Sequence, residues 1–550
     1  MVSDKQAAET IGTLRIDAPA RQRQLLGRAF TATPRSLKNT AGTRPRLGMN
    51  RTLRKGAEMN EPRSFLHPRA RLLISAAIAA FGVSASVGAW AQSSEPPERN
   101  PVAEEFPNQY FPKNLPSPEL AEAFPKNWPT YAANAGRNAA FSLPASAPKA
   151  LRDGVSWAFA GAGAVPLDGP PMAGNFKTTA YTVGMPVGVS VVGGVVYVGD
   201  DNGYTYALNA IDGKLIWAFY GWNMTMSNPL VADDKVFVST GNPYFNFANT
   251  MKYVRGERPT RGPGLNTIFA LDQKSGKEIW AFHTPGEAMP TPLLDGKFLY
   301  AGTGDGHIYK LAADTGALVW KTDTVSFFSM SSPVGGDGRL FVGGTKPNFF
   351  YAIDEDSGNI AWKVEIPDVV PTGVGDCTPA YADGVVIDEV TVKSDSKDHP
   401  VANVLLALDA KDGHILWQDR LPDGPIPPAM KTATPVIVDG VVYEGSPVSG
   451  DYFAVDLKTG RELWRLPLRS QMRAGAAIHD GIAYLPHGSG DIAAIRASDG
   501  AVLGVKHVGG AFGPSSPVIV GGTLYISNIF GWVNAIPVAD IQNSRKAAAQ

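Results

Sequence analysis

A segment that ends in Trp recurs along most of the chain, and no other feature limits the fold as strongly. Its clearest copy runs from Val192 to Trp217. Each copy has an apolar run, a Gly/Asp turn, an alternating strand, a strand reading Tyr/Phe-Ala-Leu/Ile-Asp, a Gly turn and a last strand that carries the Trp. Further copies end at Trp280, Trp320, Trp362, Trp417 and Trp464, and a degenerate copy surrounds Asp499–Gly500.

The period-2 alternation in each run predicts β-strands, and the Asp-Gly or Thr-Gly pairs predict tight hairpins. Four strands form a small twisted sheet that cannot bury both faces alone, so the repeats are expected to pack radially as blades of a propeller. We expect the repeated Trp to fill the space between blades and assign it no catalytic role.

The blade count predicts an all-β, eight-bladed propeller of four-stranded repeats. Seven blades run from Val187 to about Leu503, and an eighth begins at Ser515 but lacks its outer Trp strand. The upstream segment Gly154–Phe159 has the sequence of the missing strand. We therefore predict that this N-terminal strand closes the ring and removes its exposed sheet edges.

These units resemble the PQQ-type tryptophan-docking repeats of quinoprotein dehydrogenases. Residues Asn127–Arg137 resemble the segment that precedes the first blade in that family. The resemblance covers about Lys126 to Asp540 and implies the propeller fold. It also extends to outer-membrane assembly lipoproteins, which share the repeat and bind partners without a quinone.

In the dehydrogenases, pyrroloquinoline quinone (PQQ) lies on the propeller axis with Ca²⁺ or a lanthanide ion. Ser239–Pro243 looks like the blade that carries the metal-binding Asn, so the resemblance implies that Asn242 binds the metal and contributes to the cofactor site. Asp201, within a Gly-Asp-Asp-Asn-Gly turn, stands where the metal-binding Glu is expected.

The chain also departs from that family. Met289-Pro290 stands where the family has its Trp-Asp catalytic pair, and the adjacent cysteines that cover the quinone are absent. Cys377 is the single cysteine, so the chain contains no CxxCH haem motif and no cysteine-rich zinc site. Electrons from any quinone chemistry would therefore pass to a separate carrier.

One position just before each inner strand is predicted to face the propeller axis, and we call this set the rim. In chain order the rim residues are Met185, Met226, Met289, Met330, Asp376, Thr432, Arg473 and Pro514. Asp376 is the candidate general base, although it is also suited to pair with a rim cation. Lys431 and Arg473 are candidate ligands for the carboxylates of PQQ.

The rim methionines permit three interpretations. Unbranched Met side chains suit the tapering throat of a ring. Met226, Met289 and Met330 would alternatively form an apolar wall for a planar cofactor such as PQQ. Thioethers also favour Cu(I), so a soft-metal site is the third interpretation. A neighbouring loop with Lys252, Arg255, Arg258 and Arg261 is basic; it is expected to be solvated, or else to dock an acidic partner.

Residues 1–91 are interpreted as a leader and a secretory signal peptide, with Met49 or Met59 as the true start. Arg69 and Arg71 precede the apolar run Leu72–Val83, and Ala89-Trp-Ala91 forms a cleavage site. Residues 92–126 are expected to be an extended Pro-rich lead-in, 127–540 the propeller and 541–550 a disordered tail. The mature chain is then periplasmic, with no lipid anchor and no membrane span.

The net charge of −1 argues against a nucleic-acid partner. Two functions from different classes remain open. The first is a PQQ-dependent oxidoreductase of small alcohols or aldehydes that passes electrons to a periplasmic carrier. The second is a non-enzymatic scaffold that binds envelope proteins.

Overall fold

The computed structural model describes residues 110–128, 131–134, 136–167, 184–185, 187–241, 257, 260–370, 374–375, 378–427 and 432–544. All of them lie within the compact unit Ser84–Gln550. Among these residues there are 34 strands and three short α-helices. The helices are α1 (Pro118–Ala123), α2 (Lys149–Asp153) and α3 (Val538–Gln542), and 3-10 turns cover Pro112–Asn114 and Tyr131–Ala133. No helix in the described part of the chain is long and apolar enough to cross a membrane.

The strands follow one another in the order that the repeats predict. They are β1 Ala140–Phe141, β2 Trp157–Ala160, β3 Ser190–Val192, β4 Val195–Gly199, β5 Tyr204–Asn209, β6 Leu215–Tyr220, β7 Met224–Thr225, β8 Leu230–Ala232, β9 Lys235–Gly241, β10 Asn266–Asp272, β11 Glu278–Thr284, β12 Leu293–Asp295, β13 Phe298–Gly302, β14 His307–Ala312, β15 Leu318–Asp323, β16 Val334–Gly336, β17 Arg339–Gly344 and β18 Phe349–Asp354. The remainder are β19 Ile360–Glu365, β20 Ala380–Ala382, β21 Val385–Lys393, β22 Val401–Asp409, β23 Ile415–Arg420, β24 Val436–Val438, β25 Val441–Gly445, β26 Asp451–Asp456, β27 Glu462–Pro467, β28 Ala477–His479, β29 Ile482–His487, β30 Asp491–Arg496, β31 Val502–His507, β32 Val518–Val520, β33 Thr523–Ser527 and β34 Trp532–Pro537.

These strands form eight antiparallel blades, which confirms the eight-bladed propeller. Blades 1 to 7 consist of β3–β6, β8–β11, β12–β15, β16–β19, β20–β23, β24–β27 and β28–β31. Blade 8 takes three strands from the C-terminal part, β32–β34, and its outer strand from the N-terminal part, where β2 pairs with β34 in the register Trp157↔Ala535 to Ala160↔Trp532. The strand β1 adds to the inner edge of the same sheet by parallel pairing with β32.

The repeated tryptophans join successive blades. Each indole nitrogen donates to a backbone carbonyl of the next blade, in the pairs Trp157–Ala210, Trp217–Gln273, Trp280–Ala313, Trp320–Glu355, Trp362–Ala410, Trp417–Leu457 and Trp464–Ala497. Each indole ring also covers a glycine of that blade; for example, a Cβ on Gly413 would lie 2.6 Å from the ring of Trp362. The indole thus fills the space between neighbouring sheets, as expected from the sequence.

Blade 7 is the exception, and the structure gives the reason. Gly504 occupies the position of the outer Trp, because it pairs with Ala494 as Trp217 pairs with Ala207. A Cβ on Gly504 would lie 2.2 Å from the carbonyl oxygen of Ile541, so helix α3 fills the space that the indole takes elsewhere. The repeat around Asp499–Gly500 lacks its Trp because helix α3, rather than an indole, covers this surface of blade 7.

The segment before blade 1 lies along the inner strands of blades 5 to 8. Arg137 is 1% exposed, and its Nε donates to the Pro379 carbonyl at 3.0 Å. The Ile437 amide donates to Gly136 at 2.7 Å, and Asn138 exchanges two hydrogen bonds with Ile478. This segment forms part of the packed centre of the propeller.

Two expected boundaries differ from the structure. Phe124 lies in the lead-in, which was expected to stay outside the core, but it is 3% exposed and packs in the main hydrophobic cluster. Helix α3 continues past residue 540, and Ile541 is fully buried against blade 7. Both segments carry apolar residues that cover blade surfaces, so composition alone misplaced their ends.

Candidate functional site at the axial face

A belt of hydrogen bonds links the segments that lead into successive inner strands. In each of these hydrogen bonds, a backbone amide of one segment donates to a side-chain hydroxyl of the next blade at 2.9 to 3.2 Å. The pairs are Asn228 to Thr291, Thr291 to Ser332, Ser332 to Thr378 and Gly475 to Ser516. The rim residues lie two positions earlier in each segment. The belt therefore brings rim residues of neighbouring blades together at one face of the propeller.

Three of the predicted rim residues meet in this way. Met226 and Met289 form one cluster with Met224, and Met330 packs against it. Met289 and Met226 are 1% and 8% exposed, whereas Met330 is half-buried. The burial of these two methionines favours the first of the three interpretations, in which they pack the throat of the ring, and the choice among the three stays a prediction.

The candidate catalytic residue Asp376 lies outside the described residues, but the residues that flank it are fixed. The amides of Met330 and Ser331 both donate to the Gly375 carbonyl at 3.0 Å. The Thr378 hydroxyl donates back to the Met330 carbonyl at 3.2 Å. The chain on both sides of residues 376 and 377 is therefore attached to the rim of blade 4.

Among the other candidates, Arg473 is described, whereas Lys431 and Asn242 lie outside the described residues. Arg473 is half-buried, and its Nη2 donates to the Gln471 side chain at 2.7 Å. This hydrogen bond orients one side of the guanidinium at the rim of blade 7.

Asp201 lies in the turn between β4 and β5, where its amide donates to the Gly184 carbonyl at 2.9 Å. The turn itself is organised by Asp200, whose carboxylate accepts from the amides of Asn202 and Tyr204 and from the Tyr206 hydroxyl at 2.7 Å. Burial, followed by the nearby charge of Asp201, raises the pKa of Asp200 well above its usual range. The Asp200 carboxylate therefore organises the turn. Because Asn242 lies outside the described residues, its pairing with Asp201 as a metal site stays a prediction.

Sequence reasoning missed an ion pair at the edge of blades 2 to 4. The Arg261 guanidinium pairs with the Glu287 carboxylate, whose side chain is fully buried, and Arg261 Nη1 donates to the Ser329 hydroxyl at 2.5 Å. Burial raises the pKa of Glu287 to about 7, although the Arg261 charge opposes this shift. The expectation of a solvated basic loop is wrong for Arg261, which is only 17% exposed.

A buried acidic pair between blades 5 and 6 was also missed. Glu389 on β21 accepts the Ala433 amide at 2.5 Å, directly after the rim residue Thr432. Glu444 on β25 faces Glu389, and both side chains are fully buried. Burial raises the pKa of both carboxyls well above the usual range, and for Glu444 the charge of Glu389 adds to this effect. Acidic residues at central positions of otherwise apolar strands were the signal for this pair.

Two of the three methionines that the sequence assigns to a PQQ-binding wall are poorly exposed. A planar quinone needs an exposed apolar surface to lie against, and Met226 and Met289 are nearly completely covered. We therefore derive no chemistry through a quinone.

Eight four-stranded blades joined by docked tryptophans define a PQQ-repeat β-propeller, and comparisons with known proteins agree. Residues 172–251, 253–334 and 304–479 match the family described as outer membrane protein assembly factor BamB. The chain is 37% identical over 449 residues to the tetrathionate hydrolase of Acidithiobacillus ferrooxidans, covering 78% of this chain and 90% of that protein. It is 31% identical over 480 residues to the tetrathionate hydrolase of Acidianus ambivalens, covering 78% and 87%.

The chain belongs to the family of PQQ-repeat propellers that includes these two tetrathionate hydrolases. Among solved structures, BamB of Moraxella catarrhalis aligns with 64% of this chain and 97% of its own at a TM-score of 0.47 and 16% identity.

Proposed function

We propose that this protein is an exported hydrolase that cleaves tetrathionate or a closely related polythionate at its axial face. The observation that carries this proposal is the match to two tetrathionate hydrolases over 90% and 87% of their lengths. The periplasmic location and the signal peptide in residues 1–91 are part of the proposal. They fit a small, dianionic substrate that is met outside the cytoplasm.

In this reaction one sulfur–sulfur bond breaks and one sulfur–oxygen bond forms to the oxygen of water. The bonding electron pair leaves with the departing sulfur, so hydrolysis needs no external electron acceptor. Asp376 is proposed to accept a proton from the attacking water, the role that a carboxylate performs as a general base. Arg473 and Lys431 are proposed to bind sulfonate oxygens, because guanidinium and ammonium groups form charge-assisted hydrogen bonds with such anions.

The test uses the chain that begins at Gln92, incubated with tetrathionate while substrate loss and proton release are followed. We expect activity in this chain and a loss of about 100-fold or more in Asp376→Asn, the usual range for a general base. Asp383→Asn is the matched control, because this exposed Asp follows β20 of the same blade, at the end away from the rim. An intact protein that does not consume tetrathionate would overturn the proposal, and full activity in Asp376→Asn would overturn the assignment of the base.

The same sample distinguishes the functions that the sequence left open. Saturable binding of PQQ with Ca²⁺ or a lanthanide, together with alcohol-dependent dye reduction and no loss of tetrathionate, would favour the quinoprotein oxidoreductase. Tight Cu(I) binding would favour a soft-metal site at the methionines. Capture of an envelope protein by a hydrolytically inactive wild-type chain would favour the scaffold.

A further inference from the structure

Arg261 is fixed to the edge of blade 3 by its backbone. Its amide donates to the Gly304 carbonyl at 2.7 Å, and its carbonyl accepts the Glu287 amide at 3.1 Å. The Gly304 amide in turn donates to the Glu287 carbonyl at 2.8 Å. The position of this side chain is thus determined by the turns of blades 2 and 3 rather than by a solvated loop.

The Arg261 guanidinium extends toward the rim of blade 4. It pairs with Glu287 on one side and donates to the Ser329 hydroxyl at 2.5 Å on the other. Ser329 immediately precedes Met330, whose amide is bound to the Gly375 carbonyl at 3.0 Å. The guanidinium is therefore held beside the chain segment that leads to residue 376.

Lys346 follows β17, in the turn between β17 and β18, and its backbone lies beside the same segment. The preceding residue, Thr345, exchanges backbone hydrogen bonds of 2.9 and 3.0 Å with Phe327, two positions before Ser329. Thr345 also lies against Gly375, since a Cβ there would be 2.1 Å from its hydroxyl oxygen. Lys346 is half-buried.

Two cations placed together at a partly buried site repel each other unless an anion lies near them. Burial, followed by the charge of Arg261, lowers the pKa of the Lys346 ammonium. Glu287 neutralises part of the charge of Arg261 from the buried side, but Lys346 has no described ion-pair partner within salt-bridge distance. Such an arrangement of cations is typical of an anion-binding subsite.

We propose that Arg261 and Lys346 form a subsite that binds one sulfonate group of the substrate. The inference rests on the proposed function, which supplies a substrate with a sulfonate at each end. A sulfonate offers three acceptor oxygens, which suit the forked donors of Arg and the rotating donors of Lys. Arg473 lies on blade 7, across the ring from blades 3 and 4, so a substrate with two sulfonates would engage cations on both sides of the ring.

The test compares Lys346→Met, Lys346→Arg and Arg261→Met/Glu287→Gln with the wild-type chain. The double variant avoids leaving the buried Glu287 without its cation, which would destabilise the fold. We expect KM for tetrathionate to rise about tenfold or more in Lys346→Met and in the double variant, as removal of a charge-assisted hydrogen bond does. We expect kcat to change much less and Lys346→Arg to stay close to the wild type.

Lys297→Met is the matched control, because this exposed Lys lies in the turn between β12 and β13, at the end of blade 3 away from the rim. Unchanged KM in both Lys346→Met and the double variant, in a chain that cleaves tetrathionate, would overturn the subsite alone.

Thiosulfate binding, measured by calorimetry, tests the Arg261–Lys346 subsite independently of whether the chain hydrolyses tetrathionate. If the wild-type chain does not cleave tetrathionate, the proposed function fails. The subsite is then supported only if the wild type binds thiosulfate and Lys346→Met loses that affinity. Equal thiosulfate affinity in the wild type and Lys346→Met would overturn it.

Discussion

Glu389 and Glu444 are two buried acidic residues whose ionisation is expected to make the stability of the chain depend on pH. Both carboxyls are fully buried, and the Ala433 amide is a hydrogen-bond donor to Glu389. Asp388 lies next to Glu389 on β21 and adds a further negative charge to both. Their raised pKa values mean that the folded state prefers the protonated form.

The sign of the pH dependence follows from the pKa of these carboxyls in the folded chain compared with the unfolded chain. In the unfolded chain a Glu ionises near pH 4.3, whereas in the folded chain these carboxyls stay protonated to higher pH. The unfolded state therefore gains free energy by ionising as the pH rises above about 4.3. We expect the stabilisation to be complete in acid and to decline as the pH rises toward the folded pKa.

Glu444→Gln tests this effect, because glutamine keeps the shape but does not ionise. We expect the variant to lose less stability than the wild type between about pH 4 and pH 7.5, by about 1 kcal/mol or more, since one pKa unit corresponds to about 1.4 kcal/mol. Urea unfolding at both pH values measures the difference. Glu365→Gln, at an exposed position at the end of β19, is the control. The same pH dependence in wild type and Glu444→Gln would refute the assignment.

Among the elements, the contact between an outer-strand Trp and the Gly turn of the next blade recurs around the propeller. Gly413 and Gly384 both lie in blade 5 with nearly equal positive φ values, +79° and +78°. A Cβ on Gly413 would meet the Trp362 ring at 2.6 Å, whereas a Cβ on Gly384 would have no atom within 4 Å. An alanine at either position would strain the backbone, but only an alanine at Gly413 would also collide with the Trp362 ring. Comparing the two substitutions therefore isolates the contribution of the Trp contact.

We expect Gly384→Ala to cost about 1 kcal/mol, the usual penalty for a left-handed Ala. Gly413→Ala should cost about 1 to 3 kcal/mol more, because the methyl group must displace the indole. Thermal and urea unfolding measure both, and the extra cost should disappear in the Trp362→Ala background. Equal costs for the two variants would show that the Trp contact adds nothing to turn strain.

The elements also show what the sequence was able to predict. Strand alternation, Gly turns and the repeated Trp are local signals, so they determined the eight blades and the neighbouring positions of Met226, Met289 and Met330. Arg261, Glu287 and Lys346 belong to three different turns, and only packing brings them together. The buried Glu389–Glu444 pair likewise depends on which faces of β21 and β25 meet, which a linear pattern does not specify.

At the scale of the whole molecule, the two ends of the described chain meet in blade 8. The outer strand β2 pairs with β34, and the Trp157 indole donates to the Ala210 carbonyl of blade 1 at 2.9 Å. Residues 131–141 add a separate set of contacts, from Tyr131 at blade 8 to Arg137 at blade 5. The pairing that completes blade 8 and the central packing therefore belong to different parts of the N-terminal segment, and we propose that the first of them closes the ring.

Three chains test these contributions separately, beginning at Gln92, Ser142 and Gly161. The chain from Ser142 should unfold at a lower temperature than the chain from Gln92, because it loses the buried Arg137 and Trp128. The chain from Gly161 also loses β2 and the Trp157 contact, which should cost about 3 kcal/mol or more, as does removal of a large packed aromatic. Its free β34 edge should further promote aggregation. If the chains from Ser142 and Gly161 unfold alike and remain equally monomeric, β2 does not close the ring.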